Sequence, residues 1–183
     1  MMDVIDVNYG THRGLVRSLL GEAEYISGRL SPFLSMEPSK IRRLVFVCLG
    51  NINRSAFAGA LAQTLGASSM SIGLNTTTGA PAFERAILTA RYFGVDLTSH
   101  SATDFRDFTF IEGDILLAME VRHARELLRR GIPSTSIILL GHWARPHRIH
   151  IHDPHMLSKE YFISCFSIIR SAVFRLLADL RND

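Results

Sequence analysis

Residues 44–57, LVFVCLGNINRSAF, constrain the fold more than any other part of the chain. The continuous apolar run 44–47 has the pattern of a strand buried on both faces, the kind found in parallel sheets. It ends in Cys48. Gly50, two asparagines, Arg54 and Ser55 follow, and then helical apolar spacing predicts a helix over about 55–65. The same alternation repeats downstream. SSMSIGL from Ser68, DILLAM (114–119) and SIILLG (136–141) read as further strands. PAFERAILTARYFG, opening at Pro81, and EVRHARELLRRG read as helices closed by Gly94 and Gly131. Strands alternating with helices predict an α/β fold: three α/β/α layers around a four-stranded parallel sheet, with the ligand loop after the first strand.

A chain of 183 residues, 47% hydrophobic, has enough apolar surface for one proper core. Twenty basic against 17 acidic residues leave +3, which suits an anionic ligand without arguing for nucleic acid. Cys48 and Cys165 are the two cysteines, too few for a disulfide framework, and a cytoplasmic, reducing setting follows. The start, MMDVIDVNYG, lacks the basic cluster of a secretory signal. No run approaches the ~18 apolar residues of a membrane span. The apolar C-terminal stretch is interrupted by Lys159, Glu160, Arg170, Arg175 and Asp179, and reads as a helix from about 158 lying on the core. Residues 1–40 form an N-terminal extension. Leu15, Leu19, Ala23 and Ile26 predict a short amphipathic helix, and SPFLSMEPSK (31–40) reads as a linker. The main domain is 41–183.

Parallel sheets bind ligands at the carboxyl ends of their strands, where Cys48 is placed. The loop after it leads into a helix whose first N–H groups have no intrahelical partner, and Gly50 supplies backbone freedom. Residues 49–55 (Leu49, Gly50, Asn51, Ile52, Asn53, Arg54, Ser55) therefore form a candidate anion cradle. A helix N-terminus and a nearby cation favour the thiolate of a cysteine, and Ser55 offers it a hydrogen bond. Arg54 supplies a planar fork for two phosphate oxygens. Nucleophile, cradle and fork point to attack on phosphorus through a cysteinyl-phosphate. The leaving oxygen needs a proton donor, and Asp153, fixed by Pro154 in HDPHM, is the candidate.

VCLGNINRS (47–55) resembles the signature of the low-molecular-weight protein tyrosine phosphatases, Cys-x5-Arg-Ser/Thr, and Asp153-Pro154 resembles their late Asp-Pro. Ser71-Ile72-Gly73-Leu74 and the SHSA around His100 are weaker echoes, and residues 1–40 fall outside the likeness. The resemblance implies Cys48 as nucleophile, Arg54 as transition-state clamp, and Asp153 as acid for the phenol and then base for water. It implies that Asn51 braces the loop with His100, that Ser55 supports the thiolate, and that no metal or cofactor takes part. The implied partner is a tyrosine-phosphorylated protein, such as a bacterial tyrosine kinase of polysaccharide export.

Two departures stand out. Asn53 replaces the second cysteine often found before the arginine, so no neighbour traps an oxidised Cys48. His155 and Met156 replace the tyrosines that commonly follow Asp-Pro. With Leu74 and Asn75 of the segment 73–78 they form the expected pocket wall. Two other functions compete. Arsenate reduction needs further cysteines, and Cys165 is placed mid-helix, where burial is its natural role. A silent phosphate-binding module would keep the cradle without turnover. The crowded His142, His147, His150, His152 and His155 lack the ligand spacing of a structural zinc site and read as a solvated loop flanking the site. Residues 122–130 read as a solvated helix face.

Overall fold

The computed structural model describes residues 4–182. Two helices come first, α1 (Val4–Tyr9) and α2 (His12–Ile26). Two short 3-10 turns then lead into β1 (Arg43–Cys48). After it come α3 (Arg54–Thr64), β2 (Ser69–Gly73), α4 (Glu84–Tyr92), β3 (Asp114–Ala118), α5 (Val121–Arg129), β4 (Ile137–Leu139) and α6 (Lys159–Asn182). The four strands are all parallel, in the order β2-β1-β3-β4, with Cys48 opposite Gly73 and Val47 opposite Ala118. Their carboxyl ends, and the loops after them, share one edge.

Side chains alternate across β1. Leu44, Phe46 and Cys48 join a core with α3, α4 and α6, while Val45 and Val47 join a second core with α5. Val45, Phe46 and Val47 are all completely buried, each worth about 1.5–3 kcal/mol of apolar transfer. The first core is locked by Phe57 of α3 stacked on Phe166 of α6, 4.2 Å between ring centroids. Helix α6 is long and apolar enough to cross a membrane by length and composition. Here it lays Phe162, Phe166, Ile169, Val173 and Leu176 against the sheet.

Four local expectations are revised. Helix α4 begins at Glu84, not Pro81: Pro81 instead bridges Ser101, and the Phe83 N–H donates to Ile52 O at 3.0 Å. Strand β4 is only three residues long, because residues 140–143 curl into a 3-10 turn. In α2 the apolar stripe faces out. Its buried positions are Gly14, Ser18 and Gly21, whereas Leu19 is 60% and Ile26 82% exposed. Gly14 and Gly21 of α2 lie against the His152 ring and against Ile149 and His150, a surface that small residues approach closely. Phe33, in the segment 31–40 read as a linker, is buried in the second core, as is Leu30 just before it.

Candidate active site

Cys48 ends the central strand and is 2% exposed. The following loop folds back over its sulfur. The Asn51 N–H donates to Sγ at 3.3 Å, and Ser55 Oγ lies 3.0 Å away. The left-handed residue of this loop is Asn51, with φ 51°, a conformation asparagine tolerates better than most. Gly50 does not use the freedom expected of it, and a Cβ there would meet only the Ile52 side chain, at 3.6 Å. Glycine is required instead at Gly73, where a Cβ would come within 2.9 Å of Leu49 O. The Asn51 side chain ties the loop together: Nδ2 donates to Ser55 Oγ (2.9 Å) and Ser71 Oγ (2.8 Å), and Oδ1 accepts from the Thr103 N–H (2.9 Å). Ser55 Oγ accepts from Asn51, and its own hydrogen is shared between the sulfur at 3.0 Å and the more distant Ile72 O at 3.4 Å. His100 Nε2 stands 2.6 Å from Asn51 O, so that nitrogen carries the proton. Burial lowers the pKa of His100, against the opposing pull of this bond.

Arg54 opens α3, and its guanidinium is completely buried. Nη1 donates to Glu120 Oε1 at 2.6 Å and to Ile151 O at 2.7 Å. Nη2 lies 2.8 Å from the Asp153 carboxylate, off the hydrogen-bond axis, and among the described residues Nε has no partner. One edge of the guanidinium is thus anchored, and the other keeps donors unspent. Glu120 was not singled out from the sequence. It follows β3 by two residues and so reaches the same sheet edge as Cys48, which is the signal that could have found it. It is fully buried and also pairs with Arg122 at 2.6 Å, with His123 and His150 each 3.7 Å away. Burial pushes the Glu120 pKa up, but Arg54 pulls it far below the carboxylate range, and the group stays ionised. Burial holds His150 down to about 4 and His123 to about 3, against the attraction of Glu120, so both are neutral at pH 7.

Beside the loop is a cavity of about 220 Å³, lined by Cys48, Leu49, Gly50, Ile52, Asn53, Asn75, Asp153 and His155. Asp153 Oδ1 accepts the His155 N–H at 3.2 Å. Burial raises its pKa, but Arg54 and this bond outweigh that and leave it below its ordinary value. Of the expected pocket wall, Asn75 and His155 line the cavity. Leu74 does not: it is 4% exposed and packs into the second core. Met156, with φ 62° and 74% exposed, stands out in solvent beyond the lining. Phe83, missed in the sequence, braces the His155 ring edge-on at 4.9 Å.

The remaining histidines form two partly buried ring pairs, His142 with His147 and His150 with His152, rather than one solvated cluster. His147 also pairs with Glu22, His142 meets Trp143 edge-on, and His150 is 6% exposed beside Glu120. Helix α5 exposes arginines but buries Val121, His123, Ala124 and Leu127. Cys165 is completely buried in α6, where burial pushes its pKa well up.

Comparison with known proteins agrees with this geometry. Residues 43–183 match the family model described as low molecular weight phosphotyrosine protein phosphatase. A probable low molecular weight protein-tyrosine-phosphatase, AmsI, from Erwinia amylovora is 30% identical over 136 residues, covering 72% of this chain and 92% of that protein. The low molecular weight protein-tyrosine-phosphatase Wzb of Escherichia coli K12 is 31% identical over 133 residues, covering 70% and 89%. The crystal structure of the Erwinia amylovora tyrosine phosphatase AmsI superposes with a TM-score of 0.69 at 26% identity, over 80% of this chain and 97% of that one. From residue 43 onward, the chain belongs to the low molecular weight phosphotyrosine protein phosphatase family.

Proposed function

We propose that Cys48, Arg54 and Asp153 carry out the family's reaction, hydrolysis of phosphotyrosine in proteins, in two steps. The Cys48 thiolate attacks phosphorus, an S–P bond forms, and the aryl O–P bond breaks. Asp153 gives its proton to the departing phenolate oxygen. Asp153 then takes a proton from a water that attacks the same phosphorus, the S–P bond breaks, and phosphate leaves with the thiolate restored. The N–H groups of residues 49–55 and the free edge of Arg54 hold the three equatorial oxygens, where charge is spread in the transition state. Ser55 and Asn51 stabilise the thiolate in the first step and as leaving group in the second. His100 fixes Asn51. Asn75 and His155, backed by Phe83, flank the aryl ring.

The observation that carries this reading is the thiol held at 3.0–3.3 Å by Ser55 and the Asn51 N–H, in a cavity that Asp153 also lines. The natural substrate is a tyrosine-phosphorylated protein. That it is a bacterial tyrosine kinase, met in the cytoplasm, is supported by the bacterial relatives. The test is nitrophenol release from para-nitrophenyl phosphate between pH 5 and 8 with a chelator present, for the native chain and Cys48→Ser. Turnover in the native chain and none in the variant is the expected outcome. Freshly reduced native protein without turnover, yet still binding phosphate, would favour the silent phosphate-binding module.

A further inference from the structure

We propose that the N-terminal extension, which lies outside the family match, is a strap that positions Asp153 for proton transfer to the leaving group. The inference rests on Asp153 acting as the acid. Helices α1 and α2 grip the acid loop, residues 147–157, on both sides of Asp153. Ahead of it, the Glu22 carboxylate accepts the Ile149 N–H at 3.0 Å and pairs with His147 Nδ1 at 2.8 Å. Arg148 donates to Asn8 O at 2.9 Å, and its guanidinium lies 4.2 Å from the centroid of the Tyr9 ring. At the residue just before Asp153, His152 Nε2 is 3.4 Å from Oγ1 of Thr11, the hydroxyl that also caps α2 through the Gly14 N–H. Gly14 lies so close that a Cβ there would fall 2.8 Å from the His152 ring and 2.0 Å from Tyr9 O. Beyond Asp153, Gly10 leaves no room for a side chain against Leu157 and Tyr161, each 2.7 Å from an ideal Cβ.

The carbonyl of His152 is held by the Tyr161 hydroxyl at 3.1 Å. The residue before Asp153 is therefore held at its ring by Thr11 and Gly14 and at its carbonyl by α6. This gives a purpose to the inverted burial of α2. Its small residues, Gly14, Ser18 and Gly21, are placed where the helix must approach a loop closely, and its bulky residues are placed where no such approach occurs. A carboxyl displaced by about 1 Å loses much of its advantage as a proton donor. That loss matters most when the leaving oxygen is strongly basic.

Two esters separate this role from a merely structural one. Phenyl phosphate needs its leaving oxygen protonated, and para-nitrophenyl phosphate needs this far less. kcat/KM for each reports the step in which the ester bond breaks. In the full-length chain, Glu22→Ala and Gly14→Ala should each lower kcat/KM for phenyl phosphate about tenfold, with at most a twofold change for para-nitrophenyl phosphate. Leu19→Ser, on the exposed face of the same helix, should alter neither. Thermal unfolding checks that Glu22→Ala remains folded should Gly14→Ala fail to fold. A native chain with Cys48-dependent turnover in which Glu22→Ala lowers both esters equally, or neither, would overturn the strap. A native chain without Cys48-dependent turnover would overturn the catalytic reading itself.

Discussion

The loop that holds Cys48 and the loop that holds Asp153 line one cavity, yet they are supported differently. The sulfur of Cys48 is held from within its own loop, by Ser55 and the Asn51 N–H, while Ser71, His100, Thr103 and Glu120 brace residues 48–55 from outside. The backbone around Asp153 is held by groups outside residues 147–157: Tyr161 nearby in sequence, and Glu22, Thr11 and Arg54 far from it. A nucleophile held from within its own loop keeps its setting when the periphery changes. An acid held by distant segments does not. Changes in the first loop should therefore slow every ester alike, and changes touching the second should separate esters by their leaving groups.

Arg54→Lys is the severest test of the first half of this statement. Lysine cannot present a fork, and it leaves Glu120 and Ile151 O short of a partner. kcat/KM should fall about 10³-fold or more for both phenyl and para-nitrophenyl phosphate; a loss confined to one ester would break the comparison. Asp153→Asn should cost phenyl phosphate about 10²-fold and para-nitrophenyl phosphate far less, and equal losses would remove Asp153 from the role of acid. The native pH profile sharpens the point. Asp153 is held ionised in the free protein, so the proton must arrive with the phosphoryl group, whose second pKa is about 6. kcat/KM should fall about tenfold per pH unit above that value, and a flat profile from pH 6 to 8 would contradict it. Ser55→Ala removes one of two hydrogen bonds to the sulfur and should slow both esters about tenfold, the equivalent of one charge-assisted bond.

The last effect is on stability rather than rate. His150 is neutral in the fold, with its pKa lowered to about 4, while an unfolded chain protonates it near the ordinary value of about 6.5. As pH falls below that value the unfolded state takes up the proton first. Stability present above about pH 6.5 is lost toward pH 4, at up to about 1.4 kcal/mol per pH unit. Urea unfolding at pH 7.5, 6 and 4.5 measures the slope, and His150→Gln should reduce it. An unchanged slope would mean that the buried histidines are not neutral in the fold.

Much of the nucleophile loop was legible because its reacting groups are close together in sequence. Strand, cysteine, arginine and helix lie within fourteen consecutive residues (44–57), and the apolar run before Cys48 announces its own burial. The Asp-Pro was legible as chemistry but not as a supported structure. Glu120 was marked only by its place two residues after β3, and Phe83 and the glycines of α2 carried no local mark. Leu74 and Met156 illustrate the same limit: both flank the site in sequence, but the chain turns one into the core and the other into solvent.

By itself the sequence determined the alternation of strands and helices, the parallel sheet and the chemistry of the loop after its first strand, because hydrophobic period and loop composition act locally. Only the tertiary structure decided which residues anchor Arg54, what lines the cavity and which face of α2 is buried. Those outcomes depend on close packing between segments separated by dozens of residues, where the shape of the partner surface, here residues 149–152, overrides the amphipathic pattern of the helix.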